Sequence, residues 1–443
     1  MSERLRTVEE ARAAILAEIA EPLGAEAVAV HEALGRVLAV DEVAAVTLPP
    51  WDNSAMDGYA IRATDVGLAT EDQPSRLAIV DDIPAGGVSR RAVEQGSAIR
   101  IATGAPIPDG ADAVVPVEST TPFIQSEELG PRGRDATGPL PVAILVHEAM
   151  REGAHIRRRG SDLEAGSTIL TAGAAMTPAA VALAAGAGLA TVTVRRRPRV
   201  AVLATGNEVR EAGTALGDAG IPDANGPGLR ALVATSGAEV LPLGIAADEL
   251  DEVTTRLRTA IDDGADAIVV AGGVSVGPYD VVKVAFEAVG RIGLWKVAVQ
   301  PGKPFAFGTA DRPDGGQTLL FGLPGNPVSS FVTFELFVRP AIRALGGRRD
   351  LLRPIDRAVL LDEVRTAANR RAFLRATAER DADGAPRRDE HGRVRVRLSH
   401  GPAGQGSHVL SALATADSLA IVPEDVEVHR AGDPVDIWWL DPA

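Results

Sequence analysis

DAIVVAGGVSVGPYD, residues 266–280, sets the architecture of this chain. An uncharged run leads into a glycine turn, and the turn leads into DVVKVAFEAVG, which has helical spacing. A short apolar run bounded by turn residues fits a strand buried on both faces, as in a parallel sheet. The stretches on either side repeat the theme. RVAVLATG (199–206) is a buried strand ending in a glycine turn, GPGLRALVATSG (226–237) a helix closed by Gly237, and EVLPLGI (239–245) a strand. ADELDEVTTRLRTAIDDG (247–264) has a capped start and apolar residues at Leu250, Val253, Leu257 and Ile261. LWKVAVQPG (294–302) and TLLFGLPGN (318–326) are predicted strands, and PVSSFVTFELFVRPAIRAL (327–345) the last helix. This alternation predicts a parallel sheet with helices on both faces over residues 196–345.

The flanks read differently. Residues 1–195 start with an amphipathic, acidic helix and continue as GRVLAVDEVAAVTLPPWDNSAMDGYAI, which is β-rich and punctuated by prolines. Residues 122–141 are polar and rich in glycine and proline, and predict an exposed loop. HIRRRGSDLEAGSTIL (155–170) predicts a turn between short strands. In RVRVRLS (393–399), Val394, Val396 and Leu398 alternate with Arg393, Arg395 and Arg397, and DPVDIWWL (433–440) is a closing strand, so residues 346–443 predict a small β domain.

Bulk properties narrow the function. The chain has 443 residues, 46% of them hydrophobic but only 3% aromatic, so Ala, Val, Leu and Gly do most of the packing. Its formal charge of −15 argues against general binding of nucleic acid, and an anionic ligand would need a local basic site. There is no cysteine, which excludes disulfides, thiolate zinc sites and thiol nucleophiles and fits a reducing cytoplasm. The uncharged stretch 176–194 is mostly Ala, Gly and Thr, broken by Pro178, Gly186 and Gly188. It predicts a short helix and then a strand, with no membrane span.

Ligands of open parallel sheets bind beyond the carboxyl ends of the strands. Four loops are predicted on that rim: TGNE (205–208), AGGVSVGPYD (271–280), VQPGKP (299–304) and GLPGNPVSS (322–330). Gly272 and Gly277 have the spacing of a phosphate loop, but Pro278 stands where the lysine belongs. GLPGNPVSS runs from strand into helix, and Lys303 or Lys296 can supply the missing charge. Glu208, Asp248 and Asp280 are hard oxygen donors suited to Mg²⁺. Asp248 and Asp280 read equally well as helix N-caps. PPWDNSAMDGYA (49–60) is a second dense stretch, in which Trp51 is either a lid on an apolar edge or a stacking surface. The Arg157–Arg159 and 195–199 arginines read as solvated or paired with acid. The seven histidines show no metal-ligand spacing.

Taken together, DNSAMDGYA, ATGAPIPDGADAVVPVE, IRRRGSDLEAG, VAVLATGNEV, GGVSVGPYD, QPGKPFAFG and GLPGNPVSS resemble, in order, the motifs of the molybdopterin molybdenumtransferases of the MoeA and gephyrin E-domain type. The resemblance implies a multidomain α/β fold. A central parallel α/β domain of MoaB/MogA-like type (196–345) accompanies an inserted β domain (46–150), a discontinuous helical domain (1–45 plus 151–195) and a C-terminal β domain (346–443). It implies a cytoplasmic homodimer with an intersubunit site, inserting molybdate into adenylylated molybdopterin with release of AMP, assisted by Mg²⁺ or a similar divalent cation. Contact with other cofactor-synthesis proteins is also implied; nucleic acid and membrane are not.

By the same resemblance, Asp57 enters the partner's site with Thr103 beside it, and Asp162 and Glu208 are further acidic positions. Asp248 and Asp280 are metal carboxylates. Lys296 and Lys303, with Gly273, Ser275, Pro324, Gly325, Asn326 and Pro327, form the phosphate and oxyanion side. Ser329, Arg370 and Ser407 form the molybdate pocket. Gln300 departs from the family, many of whose members have lysine there. Two alternatives compete: a molybdopterin adenylyltransferase, against which the extra domains and DNSAMDGYA argue, and a non-enzymatic gephyrin-like scaffold, against which the retained carboxylates argue. A nicotinamide oxidoreductase lacks its glycine fingerprint here.

Overall fold

The computed structural model describes residues 5–125, 128–133, 139–273 and 281–440. The central sheet has six strands: β1 (Arg199–Thr205), β2 (Glu239–Ala246), β3 (Ala267–Ala271), β4 (Arg291–Lys296), β5 (Pro304–Asp311) and β6 (Gln317–Leu323). Their order is β2-β1-β3-β6-β5-β4. The first four in that order are mutually parallel, as the apolar runs predicted. β5 and β4 add as antiparallel strands, so the sheet is mixed rather than wholly parallel. β5 is the strand that the sequence reading missed. It starts at a proline and carries Gly308, both of which weaken a strand signal.

Side chains alternate across this sheet. Val200, Val202, Val269, Phe305, Phe307 and Phe321 face a core built with the helices Asn225–Thr235 and Arg339–Leu345. Ala201, Leu203, Ile268, Val270 and Leu320 face the helices Leu250–Asp262 and Val281–Val289. Helices therefore cover both faces. In Leu250–Asp262 the residues Val253, Leu257 and Ile261 are buried as expected, while Leu250 is exposed. The expected cap is missing: Glu249 holds the N-cap position without a side-chain hydrogen bond.

The N-terminal helix Val8–Ala17 opens with a Thr7–Glu10 capping box and packs Val8, Ala11 and Ile15 into the first of these cores. The rest of 1–45 and 151–195 is mainly short antiparallel pairs, such as Ala25–Ala29 with Thr191–Arg195. Its α-helix, Pro178–Gly186, spans nine residues. This segment is thus less helical than expected. Among the described residues no helix is long and apolar enough to cross a membrane.

Seven strands between Gly58 and Val146 form the inserted sheet, with separate cores on its two sides. Neither core contains a residue of 196–345. The predicted loop at 122–141 begins instead as a strand: Thr120–Gln125 pairs with Ala143–Val146. Residues 126–127 and 134–138 of that loop lie outside the described residues. At the C-terminus, five strands close into a barrel, because Arg371–Ala378 pairs with both Val394–Leu398 and Ser418–Val422. Val394, Val396 and Leu398 point into its core, and Pro434–Trp439 is one of its strands. Phe373, Leu419 and Trp438 face outward from the barrel and join the core of the α/β domain.

Candidate active site

Three strand ends converge on one rim. A methyl group at Gly272 would sit 2.7 Å from the Thr205 carbonyl oxygen, and one at Gly325 would lie 3.7 Å from Gly272 Cα. With φ of +106° at Gly272 and +60° at Gly273, glycine is the residue that lets the chain leave β3 this close to β1 and β6. The result is a cleft of about 630 Å³. Glu208, Asp248, Gly273, Pro324, Gly325, Asn326 and Pro327, all anticipated from sequence, line it together.

The cleft has an acidic wall. Asp248 and Asn207 exchange hydrogen bonds: Asn207 N donates to Asp248 Oδ2 at 3.2 Å, and Asp248 N donates to Asn207 Oδ1 at 3.1 Å. Asp248 therefore faces the rim and is not a helix cap. Glu208 and Asp223 line the same wall. Asp223 Oδ1 accepts from Gly226 N at 2.8 Å and so starts the helix Asn225–Thr235, and Asn225 Nδ2 donates to the Gly325 carbonyl at 2.7 Å. The sequence reading missed Asn207, Asp223, Asn225 and also His408, which reaches this cleft from the C-terminal domain. Among the described residues no three His, Asp or Glu side chains gather as a ready-made metal cage. One or two carboxylates facing a substrate phosphate is the usual Mg²⁺ arrangement, and this wall of hard oxygen donors fits it.

The opposite side joins the α/β domain to the barrel. Asn326 Nδ2 donates to Ser407 Oγ at 3.0 Å. A methyl at Gly302 would meet Thr333 Cγ2 at 2.5 Å and lie 3.6 Å from the Ser329 carbonyl, so the 299–304 turn packs over the helix that holds buried Ser329. Lys296 stands opposite Pro304 in the β4–β5 register, which keeps both it and Lys303 on this rim although their strands are antiparallel. Gln300 braces its turn: the Oε1 atom accepts from Ala367 N at 2.7 Å, which lysine could not do. Val299–Gln300 pairs with Arg371–Ala372, which brings Arg370 alongside the same turn.

Arg375 lies in the arginine-rich stretch 365–397, where sequence allows one or two arginines to face an oxyanion without singling this one out. It is fully buried beneath the turn ending at Ser407. Its Nη2 donates to the Gly404 and Gly406 carbonyls at 2.8 and 3.0 Å, while Nε and Nη1 have no partner among the described residues. Burial alone lowers its pKa to about 10, still far above neutrality, so a cation without a carboxylate lies under this wall. Arg395 and Arg397 of the barrel are unlike it: both pair with Glu379.

Asp57, Thr103 and Asp162 do not line the cleft. Asp57 Oδ1 accepts from Thr103 N at 2.7 Å and from Thr103 Oγ1 at 3.0 Å, on an exposed turn of the inserted domain. Trp51, half exposed, donates from Nε1 to the Gly104 carbonyl at 3.4 Å. Arg159 N and Arg158 hydrogen-bond Asp52 and hold its carboxyl below the usual range. Asp162 is exposed on the neighbouring loop, where its N–H bonds the Leu48 carbonyl at 3.1 Å. Ser275 and Asp280 lie outside the described residues.

Comparison with known proteins agrees with this layout. The chain matches the MoeA N-terminal region (domain I and II) over residues 6–188, a probable molybdopterin binding domain over 201–344, and the MoeA C-terminal region (domain IV) over 357–440. It is 38% identical to molybdopterin molybdenumtransferase 2 of Mycobacterium tuberculosis, over 98% of this chain and 100% of that one. It is 33% identical to the molybdopterin molybdenumtransferase of Haemophilus influenzae, over 97% and 98%. A crystal structure of the MoeA protein of Pyrococcus horikoshii superposes with a TM-score of 0.75 at 28% identity, covering 98% of this chain and all of that one. An acidic strand-end cleft walled by a C-terminal barrel, in a chain matched from end to end, makes this protein a member of the MoeA family.

Proposed function

We infer that the chain is a molybdopterin molybdenumtransferase, and that it inserts molybdate into adenylylated molybdopterin with release of AMP. The observation that carries this reading is the two-sided cleft. Carboxylates line one wall, and a buried guanidinium without a carboxylate lies behind the other. A pyrophosphate-bearing nucleotide needs a cation between itself and the carboxylates, while a molybdate dianion needs positive charge and hydrogen-bond donors. Asp248 and Glu208 would hold Mg²⁺ on the acidic side, and the ion would supply charge neutralisation at the pyrophosphate. Ser407, Ser329 and Lys303, backed by Arg375, would orient the oxyanion. Gln300 would brace the turn that carries Lys303.

The same reading makes the active protein a homodimer. The Asp57–Thr103 turn is preorganised by two hydrogen bonds, yet in one chain it lies apart from the cleft residues. A second copy would bring that turn to the cleft, where the carboxylate would act on the pyrophosphate side. A cytoplasmic location belongs to this reading, and a chain without cysteine fits it.

The test is anaerobic incubation with adenylylated molybdopterin, Mg²⁺ and molybdate, scored by AMP release and by reconstitution of an apoenzyme. Release of AMP that depends on molybdate and Mg²⁺ supports the assignment. Formation of adenylylated product from ATP and molybdopterin would make it an adenylyltransferase instead.

A further inference from the structure

The arginines around residues 195–199 remain outside the cleft's chemistry. They lie at the opposite end of the sheet, where Pro198 precedes β1. Two cavities meet there, of about 170 and 430 Å³, and share Val37, Arg195 and Arg348 in their walls. Arg36, Arg196, Arg197 and Arg343 complete the basic lining of the smaller cavity, and Arg349 adds to the larger. The acid in the two linings is Glu21. The larger cavity has a mixed lining, in which Ile19, Pro22, Leu38 and Ala172 supply apolar surface beside its arginines.

Part of this charge serves the fold. Helix carbonyl ends at Thr235–Ser236 and Leu345–Gly346 attract cations to the region. Arg36 pairs with Glu26, Arg196 with buried Asp266, and Arg343 with Asp350. Asp350 is shared with Arg348, and Asp266 with Arg312. Three arginines remain without a carboxylate among the described residues. Arg195 donates to the Leu23 carbonyl at 3.3 Å, while Arg197 and Arg349 are exposed. Gly173 leaves room for this arrangement, since a methyl there would meet the Arg349 guanidinium at 3.0 Å. In a chain of net charge −15, a concave site lined by seven arginines and one acid, with Arg195, Arg197 and Arg349 lacking a carboxylate among the described residues, concentrates anions against the global field.

We propose that this double cavity binds a small phosphate-bearing anion. The smaller chamber takes the phosphate by charge-assisted, forked arginine contacts, and the larger chamber, of mixed polar and apolar lining, takes whatever body the phosphate carries. Two adjoining chambers of about 170 and 430 Å³, one ringed by arginines and one with apolar surface beside them, fit a nucleoside monophosphate.

Calorimetric titration of the full chain in chloride buffer with AMP, inorganic phosphate and adenosine tests this. AMP binds at a site that the Arg195→Ala/Arg348→Ala variant weakens at least about tenfold and that Asp248→Ala leaves intact. Arg197→Ala/Arg349→Ala, at exposed positions, weakens it in the same direction and guards against misfolding of the first variant. AMP release from adenylylated molybdopterin stays near wild type in both. AMP tighter than phosphate identifies a nucleotide as the ligand, and equal affinity identifies free phosphate; either supports an anion site. Isotherms for AMP and phosphate that neither variant changes, or adenosine binding as well as AMP, overturn it.

Discussion

The strand-end cleft and the Asp57 turn are both firmly built, but to different degrees of completion. The cleft has walls, floor and charge of both signs from one chain: carboxylates from three loops, glycines that let β1, β3 and β6 meet, and Arg375 under the barrel wall. The Asp57 turn has a carboxylate fixed by two hydrogen bonds and an exposed tryptophan close by, and it does not line the cleft. Under the proposed function, the turn supplies one half of a site whose other half is the cleft of a second copy.

Removing the carboxylates challenges this comparison most severely. Asp57→Ala and Asp248→Ala should each lower molybdate-dependent AMP release by about 100-fold or more, with circular dichroism unchanged. If Asp57→Ala kept full activity, the turn would be a surface ornament. Gly272→Ala attacks the geometry that brings the cleft loops together. The added methyl meets the Thr205 carbonyl at a positive φ, so urea unfolding should report a loss of about 2 kcal/mol. Arg375→Met separates function from stability. It removes a buried, partly unsatisfied cation, so stability should change by less than about 1 kcal/mol while the KM for molybdate rises about tenfold. A large loss of stability with unchanged KM would make Arg375 a structural bolt.

The smallest effect sits under the turn. The Asp52 carboxylate is stabilised by the Arg159 N–H and by Arg158, so its folded pKa lies below its unfolded value. A depressed carboxyl contributes stability above the unfolded pKa, near 4, and loses it as pH falls through the folded value. Asp52→Asn should therefore cost a few tenths of a kcal/mol at pH 7 after solvent screening, and progressively less as pH falls below the unfolded pKa, in thermal unfolding.

Much of this was legible because it depends on local pattern. AIVVA is wholly buried in β3, and the 3.6-residue spacing placed Val253, Leu257 and Ile261 inside. Loop glycines and carboxylates followed from the rule that sites lie beyond parallel strand ends. What escaped depends on distant chain. β5 is paired by β6 and β4 despite its proline and glycine. Barrel closure joins strands that no short motif links. Arg375 left one faint signal: in AFLRA it shares a face with Phe373, whose burial against the α/β domain marks that face as covered. The placing of Asp57 in a partner's site came from the family resemblance and not from the spacing of residues.

Co-purified mixed dimers test the shared site most directly. Asp57→Ala and Asp248→Ala chains carrying different tags, each inactive alone, would be mixed and assayed for molybdate-dependent AMP release. If each site takes its cleft from one chain and Asp57 from the other, a random one-to-one mixture regains about a quarter of wild-type activity, and purified heterodimers about half. Heterodimers as inactive as either parent would contradict the account.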